Sequence, residues 1–245
     1  MVYVYIILVG LCIASFIGSL SYRVPRGISI VAPRSFCVHC NTTIKPYDLI
    51  PFFSYIILRG RCRSCKKKIA FKYFAAEIFI PIVYLGIFIK SGPGYEFFIY
   101  SYLVTVLVYL SIVDLDHRSF GIPDIIPVYA GGVALLILSA ARKIPYTPVR
   151  FLYGALAASI LIGASFFITL VLKKKIPMGT GDLLVIPGVA LHFGVIEIVR
   201  VLVFSSLIGV ISGSILLIAH RVEKDFRFPL MPFITAGVAI EILLI

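Results

Sequence analysis

The sequence predicts an all-α polytopic membrane protein of about eight transmembrane helices, with a small zinc-ribbon-like cytoplasmic insert between the first two. Three observations lead there. The residues are 60% hydrophobic and only 14% charged, and the mean hydropathy is +1.07; a water-soluble domain of this length needs far more charge to cover its surface. Apolar stretches of membrane-spanning length recur along nearly the whole chain. The first two are separated by a polar, basic segment that holds four of the five cysteines.

The first stretch, residues 2–22, has its positive flank after it and none before it, which predicts an uncleaved first span with its N-terminus outside. Further apolar runs cover residues 74–89, 96–113, 125–141, 151–172, 183–195, 198–219 and 229–245. Alternating them places Arg118, Lys173, Lys174, Lys175, Arg221, Lys224 and Arg227 on the same side as the basic segment. Eighteen of the 23 Lys and Arg residues then share one face, which the positive-inside bias makes the cytoplasm. No tandem repeat is visible by eye.

The net charge of +12 is clustered. From Arg23 to Lys72 there are eleven basic residues against one acid, Asp48. Topology determination accounts for this clustering, so nucleic acid is not an expected partner and the lipid bilayer is. The run Lys66-Lys67-Lys68 fits either anionic lipid headgroups or a solvated, topology-fixing face.

Cys37 and Cys40 form one C-x-x-C pair and Cys62 and Cys65 a second. In a reducing cytoplasm this spacing favours a metal over disulfides, and four thiolates from two turns close a tetrahedral structural zinc site that folds a segment too small to stabilise itself. His39 is expected to face solvent. Cys12, inside the first apolar run, reads as a small buried hydrophobe.

Asp114 and Asp116 end one apolar run, and Asp182 opens another after Gly179-Thr180-Gly181. Ionisable groups at the edge of a span are expensive to desolvate and mark functional sites. The two glycines before Asp182 allow close backbone approach and unusual φ, and a helix start favours a negative charge. Two carboxylates converging on one water divide into an acid and a base, because like charges push one pKa up and keep the other low. That arrangement suits hydrolysis of a peptide bond without a covalent intermediate. The competing class is a transporter or channel whose aspartates bind protons or cations, which would place polar residues in the middle of several spans.

Taken in order, Ser15-Phe16, Tyr22-Arg23-Val24-Pro25-Arg26-Gly27, Ser35-Phe36-Cys37, Pro51, Ser54-Tyr55, Leu58-Arg59-Gly60-Arg61-Cys62, Glu77, Val113-Asp114-Leu115-Asp116-His117, Ile122-Pro123-Asp124 and Met178-Gly179-Thr180-Gly181-Asp182 make a specific pattern. On these residues the chain resembles the type IV prepilin peptidases, the prepilin leader peptidase/N-methyltransferases, a family of intramembrane aspartic proteases. Presenilin-like and archaeal preflagellin-type peptidases are not expected to carry the four-cysteine insert. The resemblance implies a multi-pass enzyme of the bacterial inner membrane. It would cut the short basic leader from prepilins and pseudopilins on the cytoplasmic side, after a glycine. It would then methylate the new N-terminal amine with S-adenosylmethionine, whose binding residues are not assigned.

The resemblance also implies the parts: residues 1–22 as the first transmembrane helix, 23–73 as the four-cysteine zinc-binding segment associated with methyl transfer, and 74–245 as the transmembrane aspartic protease domain. Asp182 and Asp114 are the implied catalytic pair. Asp116 is held as the alternative to Asp114, because it has the family's distance to the following proline whereas Asp114 has the matching local sequence. Gly18 stands where the family usually has asparagine, and Leu184 where it has lysine.

Overall fold

The structure is a computed structural model that describes residues 1–117, 121–173, 179–219 and 228–244, the side chains of Lys173 and Thr180 excepted. Arg118, Lys174, Lys175, Met178, Arg221, Lys224 and Arg227, used above for topology and motif, lie outside the described residues, as does the side chain of Lys173. The chain divides into two units, Met1–Val113 and Asp114–Ile245. Nine α-helices are described: α1 (Val2–Arg23), α2 (Phe53–Ile57), α3 (Phe71–Ser91), α4 (Tyr95–His117), α5 (Ile122–Ala140), α6 (Pro148–Lys173), α7 (Thr180–Ala190), α8 (Val195–Ile218) and α9 (Met231–Leu244). Six of them are long and apolar enough to cross a membrane, and two shorter apolar helices cover Gly181–Ala190 and Met231–Leu244. The protein is all-α and polytopic. Among the described residues no β-strand forms, only isolated bridges.

In the first unit α1 packs along α3. Its buried residues, Ile6, Gly10, Ala14, Ile17 and Ser21, recur every three or four positions and so lie on one stripe. Gly10 is required there, since a Cβ would sit 2.8 Å from Pro81 Cα. Gly18, likewise on the α3 side, would bring a Cβ to 3.2 Å from the Tyr73 ring. Cys12 departs from expectation. It is exposed, because two residues past Gly10 it falls about 200° around the helix from the packed stripe. The α3–α4 pair is joined by a hydrogen bond between the Tyr84 and Thr105 hydroxyls and by edge-on packing of Phe97 against Phe88 at 5.5 Å.

Between α1 and α3 lies the insert, with short 3-10 helices at Val24–Arg26 and Pro46–Leu49. Arg23 ends α1 buried, and its guanidinium donates to the carbonyls of Ser29 (2.7 Å) and Pro33 (2.9 Å). It thereby folds the start of the insert back onto the helix end.

The insert also contains a repeat that inspection of the sequence misses. Cys37 N–H donates to Thr42 C=O, Asn41 N–H to Cys37 C=O and Ile44 N–H to Ser35 C=O. The same bonds recur as Cys62 to Lys67, Lys66 to Cys62 and Ile69 to Gly60. Bridges close both loops, Phe36 with Thr43 and Arg61 with Lys68, and Asn41 and Lys66 turn each at φ 54° and 58°. Only the cysteines and the closing isoleucine are shared, so the repeat lives in backbone and sulfur positions.

In the second unit α7 packs on α5 and α6, α8 on α6 and α9. The span expected at 183–195 is instead the short helix α7, which stops at Ala190 because the chain turns through Leu191–Phe193 and restarts at Gly194, the N-cap of α8. Gly237 of α9 lets α8 approach: a Cβ there would collide with Ser205 Oγ and lie 2.7 Å from Val201 C=O. Two ion pairs join helices here. Arg150 meets Glu197 at 2.8 Å, and Arg200 grips fully buried Glu241 at 2.6 Å.

Candidate functional site

Asp114 lies near the end of α4 and is buried, with 5% of its surface exposed. Its Oδ2 accepts the Met231 N–H at 3.0 Å. Met231 is the first residue of α9, so its N–H is one of the donors that a helix leaves without an internal partner. The positive end of α9 thus faces a carboxylate.

Asp182 occupies the first turn of α7, three residues after its N-cap Gly179. Its carboxylate accepts the Gly179 N–H and is near enough to Asp114 for the two charges to interact. The backbone freedom expected of Gly179 is not used: at φ −65°, ψ 149° it sits in extended conformation open to any residue, and a Cβ would meet Asp182 Oδ2 at an ordinary 3.5 Å. The structure therefore brings Asp114 and Asp182 together from α4 and α7, each held by a backbone N–H at a helix start.

Asp116 and His117 are exposed. Two residues along α4, Asp116 projects about 200° around the helix from Asp114. Asp124, the acid of Ile122-Pro123-Asp124, accepts the Gly121 N–H at 2.9 Å and so caps α5.

The four cysteines form the second cluster. The Sγ atoms of Cys37, Cys40, Cys62 and Cys65 all lie within 4.8 Å of one another, and Cys37 and Cys65 are 3.9 Å apart. Four thiolates around zinc at about 2.3 Å stand about 3.8 Å from each other, so the donor set fits such an ion. Burial pushes the Cys37 thiol up to about 11. Cys40, whose Sγ is 3.4 Å from the Thr42 hydroxyl, is drawn down to about 6 chiefly by that hydroxyl. His39 is exposed.

Sequence reasoning did not find Met231 as the partner of Asp114, because the two are 117 positions apart and the contact is through backbone. The prolines at 229 and 232, which suit a helix start, were the available signal. Nor did it find what Glu77 does: its Oε2 accepts the Phe52 N–H at 2.7 Å, fastening the insert to α3.

The chain is 31% identical over 231 residues to the prepilin leader peptidase/N-methyltransferase of Bacillus subtilis (strain 168), covering 93% of this chain and 88% of that protein. The chain belongs to the prepilin leader peptidase/N-methyltransferase family. Members of the same name from Vibrio cholerae (30% identity over 224 residues, 86% of each chain) and Myxococcus xanthus (29% over 219 residues, 88% of this chain and 63% of that one) are also similar. The family profile described as Bacterial Peptidase A24 N-terminal domain matches residues 8–91, a stretch that holds the cysteine insert. No solved structure matches the chain.

Proposed function

We propose that this member of the family cleaves the short basic leader of prepilin-like substrates and then methylates the new N-terminal amine. Asp114 and Asp182 are the catalytic pair. The observation that carries this reading is the meeting of their two carboxylates at the starts of α9 and α7. Two carboxylates converging on one water divide the work between a base and an acid. The ionised carboxylate takes a proton from water as its oxygen attacks the peptide carbonyl carbon, and the protonated one donates to the carbonyl oxygen. Collapse breaks the C–N bond, and the leaving amine takes the proton that the base received. Asp114 rather than Asp116 is taken as the partner, a reading that the exposure of Asp116 supports. In the second reaction the methyl group passes from the sulfonium of S-adenosylmethionine to the amine nitrogen, which loses a proton.

Cys37, Cys40, Cys62 and Cys65 hold a zinc ion, which cross-links the two loops of the insert. The membrane is the bacterial inner membrane, crossed about eight times if α7 and α9 are counted as spans, with the N-terminus outside and the aspartates toward the cytoplasm. Charge supports that orientation: alternating the apolar runs of the sequence assigns most of the basic residues, the insert's among them, to one side of the membrane.

The test is leader release from a prepilin-like substrate by the purified protein. Asp182→Asn and Asp114→Asn should each lower the rate by about 10² to 10⁴, while Asp116→Asn stays within about twofold of the parent. Full activity of the Asp182 variant overturns the mechanism. Methyl transfer is scored separately, as labelled methyl on the cleaved product.

A further inference from the structure

The insert leaves the membrane at the end of α1 and returns at Phe71, where α3 begins, so both of its ends are held at one membrane face. Its central arm, residues 46–57, has two unlike sides. One side docks on α3. Phe52 donates its N–H to Glu77, the Phe52 and Phe74 rings stack at 5.6 Å, and Tyr55 stacks on Phe74 at 4.4 Å. Phe74 and Glu77 are three and six residues beyond the start of α3, roughly 5 and 9 Å along it at about 1.5 Å per residue. The arm is therefore pinned at the depth where a span passes from headgroups to acyl chains.

The other side carries Leu49, Ile50, Phe53, Ile56 and Ile57, exposed by 39, 51, 54, 51 and 73%. This exposed apolar row is flanked by exposed Arg59, Arg61, Lys66, Lys67 and Lys68. The only acid between Arg23 and Lys72 is Asp48, and Arg63 holds it through two bonds of 2.8 and 2.6 Å. We propose that this arm lies in the interfacial layer of the bilayer, its apolar row sunk about 5–10 Å and the five flanking cations engaging anionic lipid headgroups. Charge selects this occupant over a basic leader peptide, which the surrounding cations repel.

The chain contains no tryptophan, so a single one reports without background. In full-length Ile57→Trp, reconstituted in nanodiscs of phosphatidylcholine with or without phosphatidylglycerol, lipids brominated near the headgroup should quench emission roughly twofold or more. Phosphatidylglycerol should increase the quenching, and Lys66/Lys67/Lys68→Gln should abolish that increase. Ile82→Trp, on the exposed side of α3 at 60% and about 16 Å along it from Phe71, serves as the quenched control with lipids brominated near the acyl-chain ends, and N-acetyltryptophanamide in the aqueous phase as the unquenched one. An Ile57→Trp signal matching N-acetyltryptophanamide overturns the proposal. So does blue-shifted emission that brominated lipid leaves untouched, which would mean that protein covers the row. Equal quenching with and without phosphatidylglycerol overturns the headgroup contacts. The readout is independent of cleavage, so a failed proteolytic reading leaves it standing.

Discussion

Met231 holds Asp114 through a main-chain N–H, which no side-chain exchange at position 231 removes except proline. Met231→Pro keeps a residue that suits the first position of a helix but deletes the donor, whereas Met231→Ala keeps it. Leader cleavage by the proline variant should fall about tenfold or more below that of the alanine variant, and equal rates would take the N–H out of the account.

The loops of the insert show what a repeated element demands of its residues. Each reverses through a residue at positive φ, Asn41 and Lys66. Asparagine visits that region readily, but lysine there costs roughly 1 kcal/mol. Lys66→Gly should consequently raise the stability of the metal-bound insert by about 0.5–1 kcal/mol, read from the midpoint of its thermal unfolding. Cys37→Ser with Cys40→Ser should release the metal and leave the 60–69 loop open to trypsin at its lysines; unchanged metal content would remove zinc from the description. The α8–α9 contact sets the opposite demand. Gly237→Val drives a side chain into Ser205 and the Val201 carbonyl, an overpacking worth about 1–3 kcal/mol, visible as a lowered melting temperature in detergent. Both elements were partly legible. The paired cysteines announced the insert through their spacing, and the apolar runs announced the helices. The shortness of α7 was not legible, because Leu191-His192-Phe193 is apolar enough to read as more helix until Gly194 restarts the chain.

At the level of the whole molecule, the distribution of charge predicts which face meets the cytoplasm. A membrane-impermeant amine reagent on intact cells should label Lys143, in the turn between α5 and α6, and spare Lys66–Lys68 until the membrane is opened; the reverse pattern would invert the topology. What could be read from the chain at this scale was the membrane environment and the order of its parts, since both follow from composition. Some contacts could not be read because they are made by backbone or by distant partners. Asp114 needed α9, and Glu241, buried within α9, is paired with Arg200 of α8. The matched hydrogen bonding of the two cysteine loops has a further meaning at this scale. It makes the insert two loops of one backbone plan, each contributing half of one site. Segments 35–44 and 60–69 should then be exchangeable: a chain with the two transposed would still bind one metal ion, because the shared frame places the sulfurs whatever side chains stand between them.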